Sequence, residues 1–231
     1  MYTPTQLQQY LEWDELTWSK ALMAWDEILA TEPNPTPLLA LELGGRNGGL
    51  SLYLAQKGIQ TVCSDFGGPT ATAKTLHHDN KVSDLVSYQD IDATKINYPD
   101  NHFDIVIFKS ILGVVAANNK TENLEMVSKE IYRVLKPGGY LLFAENMKAS
   151  CLHTLARRWF VPWGAAWHYL STRELQAFVA PFAQYKIKYF GFVSAFIKIK
   201  KLKKTAYIID TLKNNFLPNS FKYISYGWAK K

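Results

Sequence analysis

The chain holds only two cysteines, no apolar run of eighteen residues, and a single acid in its last fifth. Cys63 sits in an apolar run and Cys151 lies far from it, so reduced side chains are expected rather than a disulfide framework. The missing long apolar run speaks against a spanning helix. No charged start leads into an apolar stretch with a small-residue cleavage site, so the expectation is a cytoplasmic protein without a signal peptide. Five histidines (His77, His78, His102, His153, His168) fall into no zinc-ligand spacing, and no metal is expected. Repeats, low-complexity tracts and linkers are also missing.

The shortage of acid is local. From Lys186 to Lys231 eleven lysines accompany the one acid Asp210, whereas residues 1–185 carry 15 basic and 19 acidic side chains. Such a block, interleaved with Phe, Tyr and Ile, can meet phosphates, a nucleic-acid backbone or an anionic membrane surface, or it can be a solvated face.

What the chain does have is alternation. At 231 residues and 48% hydrophobic it can bury one sizeable core. Apolar residues at helical spacing predict a helix over 6–30, stopped by the proline-rich TEPNPTP at 31–37. Strands are expected at 38–43, 59–65, 85–92, 103–110 and 139–146. Helices are expected at 50–57, 69–78 and 121–136, the last with Thr121 as N-cap. The tail reads as strands at 185–196 and 221–228 around a helix near 205–216. This order predicts an α/β fold: a Rossmann-like, doubly wound sheet of seven strands with an antiparallel C-terminal strand pair, in a three-layer sandwich. One domain is expected, with an N-terminal helical segment (1–37), an alternating strand-and-helix core (38–146) and a segment with the C-terminal strands (147–231).

Ligands of such sheets bind outside the carboxyl ends of the strands, where Glu42 to Gly49, Asp65, Asp92, Phe108 to Ser110 and Glu145 to Asn146 fall. The turn GGRNGG after the first strand lets a ligand lie against main chain, facing helix N–H groups. It is not the G-x-G-x-x-G of a dinucleotide site, because Arg46 stands two positions after Gly44. An adenosine-like ligand without a phosphate requirement fits better. Asp65, about twenty residues on, can accept from ribose hydroxyls, and Asp92 from an exocyclic amine. The alternatives are a capping role for Asp65, a turn role for Asp92, and for Glu42 a buried acid satisfied by backbone donors.

LELGGRNGG, CSD, DIDATKINYPDNHFDIVIF and VLKPGGYLLFAEN resemble, in order, the motifs of class I S-adenosylmethionine-dependent methyltransferases, small-molecule type, over residues 38–146. The resemblance implies S-adenosylmethionine as cofactor, S-adenosylhomocysteine as product and no metal. It places Glu42, Gly44 and Gly48 on the family's E-x-G-x-G-x-G turn, with Arg46 at the middle glycine and Gly45 and Gly49 allowing a shifted path. It also places Asp65, with Phe66 beside it, at the ribose, and Asp92 at the adenine amine, with Ile91 and Ala93 next to the ring. Phe108 and Lys109 then border methyl donor and acceptor.

Because a sulfonium methyl is already a good electrophile, the protein must chiefly align an acceptor, exclude water and, for an alcohol, remove a proton. His168 is the first candidate base, Lys109 the second. In the segment from Cys151 to Tyr169, aromatic and basic residues suit a sugar ring or an anionic group, Arg157 and Arg158 included. GGRNGGLSLYLA, FKSILG and WHYLST together resemble methyltransferases of bacterial surface-polysaccharide assembly. That resemblance implies O-methylation of a sugar or glycan acceptor and peripheral contact with an anionic membrane or lipid-linked substrate. A quinone, polyketide or lipid acceptor, or a silent cofactor-binding protein, is the alternative. Nucleic acid is disfavoured, since FKSI stands where an N-P-P-Y-type tetrapeptide would be.

Overall fold

The computed structural model describes residues 2–30, 38–161, 166–197 and 199–231. Among these residues seven strands form one sheet in the order β3-β2-β1-β4-β5-β7-β6. They are β1 Leu39–Leu43, β2 Gln60–Asp65, β3 Val86–Asp90, β4 Phe103–Lys109, β5 Leu135–Asn146, β6 Gln184–Phe190 and β7 Ile224–Lys230. Strands β1 to β5 pair parallel, and β7 runs antiparallel between β5 and β6. This is the expected doubly wound sheet with its antiparallel C-terminal pair.

Side-chain alternation along each strand builds two cores, one on each face. Ala40, Ile105, Ile107, Leu142 and Ala144 belong to one. Their neighbours Leu41, Val106, Phe108, Leu141 and Phe143 belong to the other. The first face is covered by α1 (Pro4–Leu11), α2 (Glu15–Leu29), α3 (Gly49–Ala55) and α4 (Ala71–Asp79). In it Trp18, Leu22 and Trp25 are buried, and the Trp25 indole donates to Gly227 O at 2.9 Å, pinning α2 to β7. Burying side chains of this size contributes about 1.5–3 kcal/mol each. The second face is covered by α6 (Glu122–Val134) and α8 (Thr172–Val179), after a short α5 (Leu112–Val115). Helices α7 (Cys151–Phe160) and α9 (Lys200–Lys213) complete the chain.

Several sequence expectations shift. The single helix over 6–30 is two, broken at Glu12 and Asp14, both in the left-handed region (φ 63° and 50°), with Trp13 between them. The TEPNPTP stop lies outside the described residues, and α2 has already ended at Leu29. Thr121 precedes α6 but makes no side-chain cap, whereas the Ser171–Glu174 capping box of α8 forms fully. Strand β6 is shorter than 185–196, because Gly191 turns the chain (φ 83°) and residues 193–196 coil into a 3-10 turn. Cys63 is buried, Cys151 is exposed, and both are free.

Candidate functional site

The strand order reverses between β1 and β4, where crossovers leave in opposite directions and open a crevice at the strands' carboxyl ends. A cleft of about 630 Å³ lies there, within the range of small-molecule sites. Its floor includes Glu42, Gly44, Gly45 and Arg46, one side is formed by Asp65, Phe66, Ile91, Asp92 and Ala93, and Lys109 and Ser110 close the other.

Each acid here first shapes main chain. Glu42, buried at the end of β1, accepts from Leu50 N (3.2 Å), Ser51 N (2.9 Å) and the Ser51 hydroxyl. It therefore anchors the N-terminus of α3, and burial raises its pKa against the pull of these donors. Gly45 packs so tightly on that carboxylate that an added Cβ would lie 2.8 Å from Glu42 Oε2. Asp65 accepts from Arg46 N (2.9 Å) and Phe66 N (2.8 Å), tying the glycine turn to the end of β2. Asp92 Oδ1 accepts from Thr94 N (2.8 Å) and Thr94 Oγ1 (2.7 Å), so it also organises a turn. A carboxylate has lone pairs beyond those used here, and both Asp65 and Asp92 still face the cleft. Arg46 takes the left-handed conformation (φ 40°), and its guanidinium swings out toward Glu12, 4.0 Å away. The middle-glycine position thus tolerates a side chain because that side chain extends into solvent along the cleft wall toward Glu12.

Two expected residues lie elsewhere. Phe108 is fully buried against Phe143 and Phe178 and does not line the cleft. Alternation along β4 sends it into the second core and sends Lys109 to the opposite face. Gly48 also leaves the lining: its carbonyl accepts from the buried His77 ring at 2.8 Å, and a Cβ there would strike that ring. Burial lowers the His77 pKa and keeps the imidazole neutral, so Nε2–H donates to Gly48 O and Nδ1 accepts from the Tyr88 hydroxyl at 2.8 Å. His77 is a support of the glycine turn that the sequence did not reveal.

Lys109 is the most perturbed cation of the cleft. Desolvation brings its pKa down to about 7, against the opposing pull of Glu12 and Glu145. Its Nζ finds no hydrogen-bond acceptor among the described residues and lies over the Trp13 ring. Glu145, fully buried at the end of β5, accepts from Leu112 N and Asn146 N, both at 2.8 Å, and desolvation pushes its pKa up to about 7.

His168 is not brought to this cleft. It lines a second cavity of about 710 Å³ with Lys148, Arg157, Arg158 and Tyr169, and its Nε2 meets Glu174 Oε1 at 2.7 Å. Trp167 alone borders both cavities among their described linings. Its indole covers Gly113, where a Cβ would overlap it. Arg157 is committed inward, donating to Lys148 O (2.9 Å) and Met147 O (2.8 Å) and stacking on Tyr169. Of the N-terminal tryptophans, Trp13 reaches the cleft, while Trp18 and Trp25 are core. The signal for Trp13 was an aromatic beside two acids in EWDE, a stretch hidden inside an apparently continuous helix.

The sheet with its antiparallel C-terminal pair has the fold of class I S-adenosylmethionine-dependent methyltransferases, and the glycine turn and two strand-end acids stand at its carboxyl edge. Residues 41–143 match the family model described as a methyltransferase domain. The ubiquinone/menaquinone biosynthesis C-methyltransferase UbiE of Hydrogenovibrio crunogenus is 43% identical over 116 residues, covering 48% of this chain and 43% of that protein. The chain spans less than half the length of the curated relatives it matches. Among solved structures, Haemonchus contortus phosphoethanolamine N-methyltransferase 2 with S-adenosyl-L-methionine superposes with a TM-score of 0.63 at 17% identity, covering 100% of this chain and 57% of that one. Geranyl diphosphate C-methyltransferase from Streptomyces coelicolor A3(2) gives 0.63 at 13% identity, covering 92% and 79%.

Proposed function

We propose that the protein transfers the methyl group of S-adenosylmethionine to a small-molecule acceptor. The observation that carries this reading is the convergence of the glycine turn, Asp65, Asp92 and Lys109 on one cleft of about 630 Å³. The donor set fits the cofactor. Asp65 supplies acceptors for vicinal hydroxyls, Asp92 for an amine, and Ile91 and Ala93 an apolar flank for a ring. When bound, the cofactor supplies an electrophilic methyl on a sulfonium. The protein's own work is to hold it, to shut out water with Trp13 and Trp167, and to handle the acceptor's proton at Lys109 Nζ. A desolvated amine with a pKa of about 7 is a competent base at neutral pH. His168 is left a lesser role, because it is paired with Glu174 beside another cavity.

For the acceptor we infer a flat, weakly polar ring of quinone type. The cleft lining includes Trp13, which lies over Lys109, together with Ile111, Val114, Val115 and Trp167, which offer stacking and apolar contact. The names of the partial relatives support the same class. O-methylation of a sugar, the expectation from the Cys151–Tyr169 segment, is the second reading. It keeps the support of the polar second cavity with Arg158 and His168. Calorimetric titration with S-adenosylmethionine and S-adenosylhomocysteine, with NAD as control, tests the cofactor. Methyl transfer to demethylquinone analogues against nucleotide sugars tests the acceptor. Tight cofactor binding with no turnover on either would leave a silent binding protein.

A further inference from the structure

The amphipathic helix α7 is packed inside out. Its inward side carries His153, hydrogen-bonded to Ser150 Oγ (2.8 Å) and Phe192 O (3.1 Å), and Arg157, which donates to two main-chain carbonyls. Its outward side carries Leu152, Leu155 and Trp159, spaced to lie on one face, with Trp159 75% exposed. Helix α9 repeats the arrangement: Ile208 and Leu212 face outward between exposed Lys204 and Lys213, and Phe216 just beyond is 86% exposed. Both helices pack on the 3-10 turn Val193–Phe196, where Phe196 touches the His153 ring and is itself exposed.

The charges on these two helices have one sign. No acid occurs in α7, and the one acid of α9, Asp210, is buried, accepting from Val193 N (2.8 Å) and Ser194 N (2.9 Å). A protein partner has acids and bases to complement. Large exposed apolar side chains on helices whose exposed charges are all cations match a surface that is apolar beneath and anionic on top.

We propose that the outward faces of α7 and α9, joined through Phe196, seat the protein on an anionic lipid bilayer. Trp159 and Phe216 enter the acyl boundary while Arg158, Lys204 and Lys213 meet the headgroups. Helix α7 also lines the second cavity through Thr154, Arg157 and Arg158, and Trp167 separates that cavity from the cofactor cleft. If the methyl-transfer reading holds, a lipophilic acceptor then reaches the cleft from the bilayer side. The docking itself does not depend on that reading.

The test is co-sedimentation of the full chain, without cofactor, with vesicles of phosphatidylcholine alone and of phosphatidylcholine mixed with phosphatidylglycerol. Binding to the mixed vesicles only, weakened by salt, is expected. Leu155→Ser/Trp159→Ser and, separately, Lys204→Glu/Lys213→Glu are each expected to lower the partition coefficient about tenfold with an unchanged unfolding midpoint. Failure to bind mixed vesicles, or equal binding by either variant, overturns the proposal. So does self-association in sedimentation velocity that the same substitutions abolish while lipid binding is absent, because the face would then belong to a second copy.

Discussion

The strand-end edge and the α7 flank of this protein use polar side chains to opposite ends. At the edge, Glu42, Asp65 and Asp92 stand at or just beyond strand ends, grip nearby main chain, and still face the cleft. On the flank, Arg157 and His153 are turned inward and saturated by neighbours, His168 is paired with Glu174, and the apolar side of α7 meets solvent. A strand end in a parallel sheet has its direction set by topology, so polar residues there gather beside the crevice, although Glu145 turns inward from it. A helical residue has no such guarantee, because the packed face is chosen by everything around the helix.

The largest expected effect concerns Lys109, the buried cation of the cleft. Lys109→Met is expected to lower methyl transfer roughly 10²–10⁴-fold, the usual contribution of a positioned base, while leaving cofactor affinity nearly unchanged. In the wild type, kcat should climb as pH rises through about 7 and Lys109 sheds its proton, and this limb should vanish in the variant. Stability supplies an independent reading. Between about 7 and the ordinary lysine value of 10.5, the unfolded chain binds a proton that the folded chain does not. The residue therefore costs increasing stability as pH falls from 10.5 toward 7, and a constant amount below that. Lys109→Met should accordingly raise the unfolding midpoint at pH 7, an effect on the order of 1 kcal/mol or more. A lowered midpoint would show that the amine is satisfied after all.

Next is Gly45→Val, which drives a side chain into the Glu42 carboxylate and Cys63 Sγ. It should cost about 1–3 kcal/mol of stability and roughly a hundredfold in cofactor affinity by titration, since Glu42 holds both the turn and α3. Asp65→Ala should weaken cofactor binding by about 1.5–3 kcal/mol if both ribose contacts are charge-assisted. An unchanged affinity in a folded variant would remove Asp65 from the site. Smallest is His168→Ala, expected to shift the unfolding midpoint by no more than about 1 kcal/mol, the scale of a partly exposed pair, with cofactor affinity unaltered. A loss of cofactor binding in that variant would erase the distinction between edge and flank.

Much of the edge was legible. The apolar patterning located all the strands of the sheet, with β6 overrun at its end, and the order of glycine turn, Asp65 and Asp92 pointed to the cleft they line. Phe108 was misplaced for a reason the same periodicity contains: at a strand end adjacent residues face opposite sides, and Lys109 is the one turned toward the cleft. Gly48 was misplaced because a turn's glycine can serve a neighbour's ring as readily as a ligand. Trp13, Trp18 and Trp25 were all candidates to close the site, but the break at Glu12–Asp14 has neither proline nor glycine, so which of the three reaches the cleft was not legible.

The amino-acid sequence by itself determined the alternation of strands and helices, and through it the edge where backbone and acids gather, because these depend on local periodicity and on residues that tolerate tight turns. Only the tertiary structure decided which polar groups point into the cleft. It alone desolvated Lys109 and Glu145 to pKa values of about 7, and it alone left the apolar face of α7 outward. Desolvation and facing are properties of what surrounds a residue from every side, and residues far apart in the chain supply those surroundings.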